Sequence, residues 1–303
     1  MILKSAFLFL ILSSVSTASN GPAIAFDFAN KNITSLDGRF YETSKLTFIH
    51  APYNKISKVD SSLFAGLPNL YSLDLTANPI DWLNLNLTNL GRLVLDGALR
   101  NFSESFGKMQ LSIGAKPGVG VSTVLYLPTL RELYLRYNRI TQIDGLTEET
   151  VPNLVYLDLS YNDIEYLDFL DKLPKSIAHL CLNNNKILKF VHERMPVKSL
   201  GLYAVAETVI EKYDFNHLEN LQYLDISRNK IEKIEDGTFK NLSKLITLYL
   251  NNNYLSSLPD FSGLTHIKKL DLSNNYLSPI SATAFDYLPT LEELNTFGNS
   301  DEY

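Results

Sequence analysis

Four aspartates recur at one position of a short repeated pattern, each between two aliphatic residues: Asp74, Asp158, Asp225 and Asp271. Facing carboxylates are a common basis for acid–base catalysis. Here each aspartate belongs to a separate copy of the pattern, and no HExxH, CxxC, GxSxG or glycine-rich phosphate loop accompanies them. His192-Glu193 also lacks a second histidine at metal-ligand spacing. We therefore predict that the chain is not an enzyme, and we expect neither cofactor nor metal.

The charge balance narrows the classes of partner. The chain has 303 residues and a formal net charge of -6. A mildly acidic chain without a basic tract has no electrostatic reason to bind nucleic acid or anionic lipid. The composition, with 45% hydrophobic residues, is that of a protein that buries a large core.

The first residues predict export. Residues 1–18 contain Lys4, an apolar run from Ser5 to Val15 and small residues at a cleavage site, which is typical of a secretory signal peptide. No later stretch is long and apolar enough to span a membrane. Four Asn-x-Ser/Thr triplets predict N-glycosylation at Asn32, Asn86, Asn101 and Asn241. The predicted location is therefore secreted and extracellular.

One pattern recurs along the chain: LxxLxLxxNxL, in which L stands for any apolar residue, N for asparagine and x for any residue. It begins at Leu70, Leu130, Leu154, Ile177, Leu221, Leu245 and Ile267, and in a weaker form at Leu46. The asparagines that mark its register are Asn54, Asn78, Asn138, Asn162, Asn185, Asn229, Asn253, Asn275 and Asn299. Regular repetition of this kind predicts a solenoid.

Alternation explains the central part of the pattern. In Leu157-Asp158-Leu159 the two leucines fall on one face of a short strand. Stacked copies would merge such faces into a continuous core that a single copy could not form. The asparagine is expected to be buried where the chain leaves the strand, since its amide can pair with backbone groups left open by the turn.

These residues make the chain resemble the leucine-rich-repeat family, in its animal extracellular type, including secreted insect immune repeat proteins and Toll-like ectodomains. The resemblance implies an α/β leucine-rich-repeat solenoid shaped as a curved horseshoe. Short parallel strands would form the concave face, and loops and 3₁₀ turns the convex face. Residues 19–303 are then expected to be one solenoid of about 13 repeats. The degenerate units among them begin at Ala23, Leu90, Lys108, Val197 and Leu291.

The concave sheet is the default binding surface of such a solenoid. Tyrosine and arginine dominate interface hot spots, and both types recur at its exposed positions. Exposed tyrosines can also simply shield a sheet, so this alternative stays open. The predicted ligand-binding residues, expected to form one tyrosine-rich patch, are Tyr134, Arg136, Tyr137, Tyr156, Asp158, Tyr161, His179, Tyr203, Tyr223, Asp225, Arg228 and Tyr249.

Cys181 is the one cysteine, so no internal disulfide can form. It occupies the same outward position as the four aspartates and is expected to face solvent. One hypothesis is an intermolecular disulfide; the other is a thiol shielded by Tyr156 and Tyr203. The four glycosylation asparagines are expected outside the exposed strand positions, which would leave the concave sheet open.

Three functions remain compatible with the sequence. The first is a secreted protein that binds a protein or glycoconjugate ligand through its concave sheet, in innate immune recognition. The second is an extracellular matrix or cell-adhesion component. The third is an inhibitor of a secreted enzyme. The expected partner is an extracellular protein or glycoconjugate and not nucleic acid, and the chain is expected to be a monomer, a homodimer or a heterodimer.

Overall fold

A computed structural model describes residues 24–37, 40, 44–99, 109–112, 123–187, 208–281 and 283–299. The chain forms two compact units. The first contains the described residues up to Asn138 together with Asp144–Leu154, and the second contains Arg139–Ile143 together with the described residues from Val155 onward. The predicted signal peptide lies outside the described residues.

The main sheet of the first unit is built from short parallel strands. Each described strand pairs in register with the next. In the order of the sheet, the strands are β1 (Ile24–Asp27), β2 (Leu46–His50), β4 (Ser72–Asp74), β6 (Arg92–Val94) and β9 (Glu132–Tyr134). The degenerate unit that begins at Leu90 therefore does supply a strand, β6, as predicted.

The second unit repeats the arrangement, and each of its described strands is parallel to its neighbour. The strands are β11 (Tyr156–Asp158), β12 (His179–Cys181), β14 (Tyr223–Asp225), β16 (Thr247–Tyr249), β17 (Lys269–Asp271) and β18 (Glu293–Asn295). The described residues contain no α-helix and two 3₁₀ helices, Ser61–Phe64 and Leu170–Lys172. The predicted solenoid of short parallel strands is confirmed.

One predicted strand does not lie where the sequence suggested. β6 pairs directly with β9, so the strand Met109–Ser112 of the degenerate unit at Lys108 does not lie between them. β12 pairs directly with β14, and residues 197–207 of the degenerate unit at Val197 lie outside the described residues. Apolar spacing shows which residues face a core, but it does not show which strands are hydrogen-bonded to each other.

Additional short strands lie outside the main sheets, where only loops and 3₁₀ turns were expected. In the first unit, three of them form a parallel sheet: β3 (Lys58–Asp60), β5 (Trp82–Asn86) and β8 (Thr123–Tyr126). In the second unit, β13 (Val209–Ile210) pairs with β15 (Lys233–Ile234). The remaining short strands are β7 (Met109–Ser112) and β10 (Ile140–Asp144).

The core follows the leucine columns. In β11 and the residue after it, Leu157 and Leu159 are both 0% exposed. Phenylalanines pack behind them in the second unit: the ring centroids of Phe215 and Phe239 are 6.4 Å apart, and those of Phe239 and Phe261 are 6.0 Å apart. Burial of these side chains removes apolar surface from water in every repeat, which is the main force that holds the stack together.

The buried asparagines form the predicted ladder. The side-chain amide of Asn253 donates to the carbonyls of Ile226 (3.1 Å) and Leu250 (2.9 Å). Its Oδ1 accepts from the backbone N–H groups of Asn229 and Ile231, both at 3.2 Å. Each such asparagine therefore joins its own repeat to the preceding one through groups that the turn would otherwise leave unpaired.

Asp214, between β13 and β14, gives the second unit a pH dependence. Burial raises the pKa of its carboxyl from 3.8 to about 6, and the charges of Glu211, Asp171 and Asp168 raise it further, against a hydrogen bond from the Glu211 backbone. Between these two pKa values the folded state binds more protons than the unfolded state. The free energy of unfolding therefore falls as the pH rises from about 4 to about 6 and then levels off.

Asp214→Asn should remove this dependence, because the amide needs no proton and can still accept from the Glu211 N–H. The free energy of unfolding at neutral pH is expected to rise by about 1–2 kcal/mol. Urea unfolding below about pH 4 and above about pH 6 measures both the pH dependence and the gain in stability at neutral pH. Asp286→Asn, at an exposed position, is the matched control and should shift stability by less than about 0.5 kcal/mol. An unchanged pH slope in Asp214→Asn would contradict the assignment.

Candidate binding surface

Aromatic rings follow one another across β11, β12, β14 and β16: three lie in one outward column, and Tyr249 lies in the neighbouring column, in register with Asp225. The register brings Tyr156 beside His179 and His179 beside Tyr223. The ring centroids are 5.9 Å apart in the first pair and 6.0 Å apart in the second, and Tyr223 lies 5.7 Å from Tyr249 on the next strand. We call these four rings the aromatic ladder. All four are half-buried, so they present a continuous aromatic surface.

The neighbouring outward column is acidic. Asp158, Cys181 and Asp225 follow one another in register across β11, β12 and β14. Asp158 accepts from the N–H of Ser160, and Asp225 from that of Ser227, both at 3.0 Å. These bonds hold both carboxylates at the ends of their strands.

Burial dominates the titration of this region. It raises the pKa of Asp225, and the charge of Asp158 raises it further, whereas hydrogen bonds from Ser227 and the charge of Arg228 lower it. Burial also raises the pKa of Tyr223, with a further contribution from Asp225. The Tyr223 phenol therefore remains a protonated hydrogen-bond donor, and negative charge lies beside the rings.

The expectation that Cys181 faces solvent is wrong. Its position in the outward column is as predicted, but the residue is only 7% exposed. Its Sγ lies 3.9 Å from the Tyr156 hydroxyl. Large neighbours cover a small side chain, which favours the shielded thiol over the intermolecular disulfide. The other expected shield, Tyr203, lies outside the described residues. Tyr223 lies on β14, the strand beside that of Cys181, in register with His179.

Three predicted binding residues adopt the left-handed backbone conformation: Tyr137, with φ 60°, in the first unit, and Tyr161 and Arg228 in the second. Tyr161 has φ 56° and Arg228 has φ 52°, in the turn just before the buried asparagine. Asn184, Asn252 and Asn274 occupy the equivalent turns of other second-unit repeats. Asparagine tolerates this conformation, whereas other residues pay about 1–2 kcal/mol for it. Tyr161 is 43% exposed.

Tyr161→Asn is therefore expected to stabilise the protein. Relief of the unfavourable backbone conformation should raise the free energy of unfolding by about 1 kcal/mol. The reverse change in an equivalent turn, Asn252→Tyr, should lower it by a similar amount. Urea unfolding of both variants measures the difference. A loss of stability in Tyr161→Asn would show that the ring stabilises the fold by more than its backbone costs.

The first unit holds the remaining predicted residues: Tyr134 at the end of β9, with Arg136 and Tyr137 just after it. Arg136 is engaged within the fold, because its Nε and Nη2 lie 2.9 and 2.8 Å from Oδ2 of Asp96. Asp96 is only 6% exposed and also accepts from the backbone N–H of Arg136 at 2.8 Å. Arg136 therefore has a structural role that its residue type and position did not predict.

Two further charged residues on this face, Arg92 and Glu132, were not predicted from the sequence. Arg92 lies in register beside Glu132, with 3.6 Å between Nε and Oε2. The Arg92 guanidinium is also 4.9 Å from the centroid of the Tyr134 ring, and the Tyr134 hydroxyl lies 3.1 Å from Glu132. The sequence feature that could have identified Arg92 is its outward strand position in the degenerate unit that begins at Leu90.

Three of the four glycosylation sites can be placed. Asn32, Asn86 and Asn241 are all exposed, and Asn101 lies outside the described residues. Asn32 and Asn241 lie outside strands, as expected. Asn86 ends β5 of the additional sheet, so it lies within a strand but outside the main sheets. None of the three lies in a strand of the main sheets.

Within the described part of the chain, no cluster of three or more His, Cys, Asp or Glu side chains could hold a metal ion. Nor does any helix there have the length and apolar character needed to cross a membrane.

Comparison with known families agrees with the repeat geometry. A model described as "Leucine rich repeat" matches residues 128–187, 197–255, 219–267 and 247–300, which together cover more than half of the chain. A second model, "BspA type Leucine rich repeat region (6 copies)", matches residues 22–106.

Individual relatives are similar over large parts of this chain. Human Toll-like receptor 8 is 28% identical over 254 residues, which cover 67% of this chain and 24% of the receptor. Mouse lumican is 31% identical over 173 residues, 46% of this chain and 50% of lumican. Chicken Tsukushi is 28% identical over 267 residues, 87% of this chain and 63% of Tsukushi. The chain thus spans less than two thirds of the length of each of these relatives. The fold and the family matches together show that the chain belongs to the leucine-rich-repeat family, in its animal type.

Proposed function

We propose that this chain is a secreted ligand-binding protein whose second unit binds an extracellular protein or glycoconjugate across the outward face of its main sheet. The binding surface comprises the aromatic ladder, Asp158 and Asp225, and the turn residues Tyr161 and Arg228. Innate immune recognition is the proposed role, supported by the similarity to a protein named as a Toll-like receptor.

The backbone of Tyr161 and Arg228 carries this proposal. Both residues hold a conformation that costs free energy, while three equivalent turns of the second unit use asparagine. Both side chains are exposed. Residues kept at an energetic disadvantage beside an aromatic surface are expected where a ligand compensates for it.

The aromatic ladder supports the same face. Tyrosine and histidine rings offer rigid area with few rotatable bonds, and the Tyr223 phenol keeps its proton as a donor. A ligand that covers these adjacent rings buries more aromatic area than one that covers isolated exposed rings, and this area contributes to the binding free energy. The glycosylation sites that can be placed lie away from the main strands, which keeps glycans off this face.

A binding array of extracellular proteins and glycans tests the proposal. Tyr161→Asn with Arg228→Asn should abolish ligand capture on the array while raising the free energy of unfolding. Loss of folding could then not explain the loss of binding. Tyr223→Ala with Tyr249→Ala should also abolish ligand capture, because it removes two rings of the aromatic ladder. The matched control is Tyr213→Ala with Tyr287→Ala, two exposed tyrosines outside the main strands, which should retain binding. Capture that depends on the control pair and not on the sheet residues would overturn the proposal.

A matrix or cell-adhesion role is the second candidate, because lumican and Tsukushi are among the similar proteins. The same array separates the two roles. Microbial components or their complexes would favour recognition, whereas host matrix proteins alone would favour adhesion.

A further inference from the structure

Three acidic side chains of the first-unit face each lie within 4 Å of a basic one: Asp74 with His50 at 2.9 Å, Glu132 with Arg92 at 3.6 Å, and Asp96 with Arg136 at 2.8 Å. Because these side chains already pair with each other, a charged ligand would gain little electrostatic free energy by binding to them.

The second-unit face differs. Asp225 and Asp271 occupy the same outward column on either side of Tyr249. Among the described residues, no cation lies within 4 Å of either carboxylate. The lysines nearby pair with glutamates instead: Lys268 with Glu292 at 2.7 Å and Lys269 with Glu293 at 2.6 Å.

The spacing of this arrangement suits a cationic side chain. Adjacent strands are about 4.8 Å apart, so the two aspartates lie roughly 10 Å apart with the Tyr249 ring between them. The face of a tyrosine ring attracts cations. Lys269 already places its Nζ 5.8 Å from the Tyr249 centroid, although Glu293 holds that ammonium.

The charges that surround Asp225 favour an incoming cation. Asp158, which is only 6% exposed, adds a second negative charge behind the ladder. Burial and Asp158 both raise the pKa of Asp225, which means that the ionised form lacks full compensation. The positive charge of Arg228 lowers this pKa, but by less than burial and Asp158 raise it. A desolvated carboxylate of this kind gains when a partner supplies a positive charge.

We infer that the ligand of the second unit is a protein segment that presents a lysine or arginine side chain to Tyr249, between Asp225 and Asp271. This inference rests on the proposed function and specifies its partner. Acidic glycoconjugates would be repelled by the same carboxylates, and a second copy of this chain, with its net charge of -6, is also disfavoured.

Short labelled peptides of alternating Gly-Arg, Gly-Gln and Gly-Glu provide the test, with fluorescence polarisation as the readout. The Gly-Arg peptide should bind the full chain, more weakly as salt increases, and the other two should not. Asp225→Asn with Asp271→Asn should weaken that binding by about tenfold or more. The substituted amides can still accept from the N–H groups of Ser227 and Ser273, which keeps the turns intact.

Asp260→Asn with Asp286→Asn is the matched control, because it removes the same net charge outside the main strands. Asp260 also accepts an N–H two residues on, as Asp225 does. Equal weakening in both double variants would show attraction to net charge alone and would overturn the inference, as would equal binding of the Gly-Gln peptide. If array ligands depend on the sheet tyrosines but not on Asp225 and Asp271, the proposed function stands and the cationic partner is wrong. If the tyrosines do not matter either, the proposed function fails as well.

Discussion

Replacement of Asn253 by alanine is expected to lower the free energy of unfolding by about 3 kcal/mol, since each buried polar group left without a partner costs about 1–3 kcal/mol. The asparagine is 2% exposed, and its side chain makes hydrogen bonds to four backbone groups. Alanine leaves the carbonyls of Ile226 and Leu250 without this donor. It also leaves the N–H groups of Asn229 and Ile231 without their acceptor.

Urea or thermal unfolding of the full chain measures the loss. Asn251→Ala, at a half-exposed position two residues earlier, is the control and should change stability by less than about 0.5 kcal/mol. If Asn253→Ala proved as stable as the control, the ladder would not be a source of stability, and the regular asparagines would need another explanation.

Gly263→Ala is the second large expected effect. A Cβ at this position would lie 2.4 Å from the Phe239 carbonyl oxygen and 2.5 Å from the Cα of Lys240. Both are backbone atoms of the preceding repeat, so no side-chain rotation can relieve the contact. The repeats would have to separate locally, and the free energy of unfolding should fall by about 2–3 kcal/mol.

Gly66 gives a control within the same chain. Both glycines lie in a Phe-x-Gly-Leu segment, Phe64 to Leu67 and Phe261 to Leu264. A Cβ on Gly66 would meet nothing within 4 Å. Gly66→Ala should therefore be neutral or stabilising by up to about 1 kcal/mol, because alanine reduces the freedom of the unfolded chain. Equal losses in both variants would indicate that the close approach at Gly263 does not exist.

The repeated pattern predicted most of the fold because each of its positions has one physical role. Alternation placed Leu157 and Leu159 in the core, and the amide of Asn253 has the hydrogen-bonding capacity that the turn requires. The sequence could not predict that β6 pairs directly with β9 or β12 with β14. Segments with similar apolar spacing lie between them in the sequence, and strand pairing depends on long-range hydrogen bonds that no local pattern encodes.

The candidate surface was predictable in residue type but not in environment. Alternation identified Tyr156, His179, Tyr223 and Tyr249 as outward residues, and the register brings their rings together. The burial of Cys181 depends on the size of its neighbours across strands. Likewise, the left-handed conformation at Tyr161 follows from the repeat geometry, since tyrosine itself does not favour it.

Hydroxyl-radical footprinting of the full chain, alone and with a ligand obtained from the array, tests the central claim most directly. Labelling of each tyrosine is measured by peptide mass spectrometry. We predict that the ligand reduces labelling at Tyr161, Tyr223 and Tyr249, whereas Tyr213 and Tyr287 remain as reactive as in the free protein. Protection of Tyr213 and Tyr287 with no change at the three sheet residues would contradict the account.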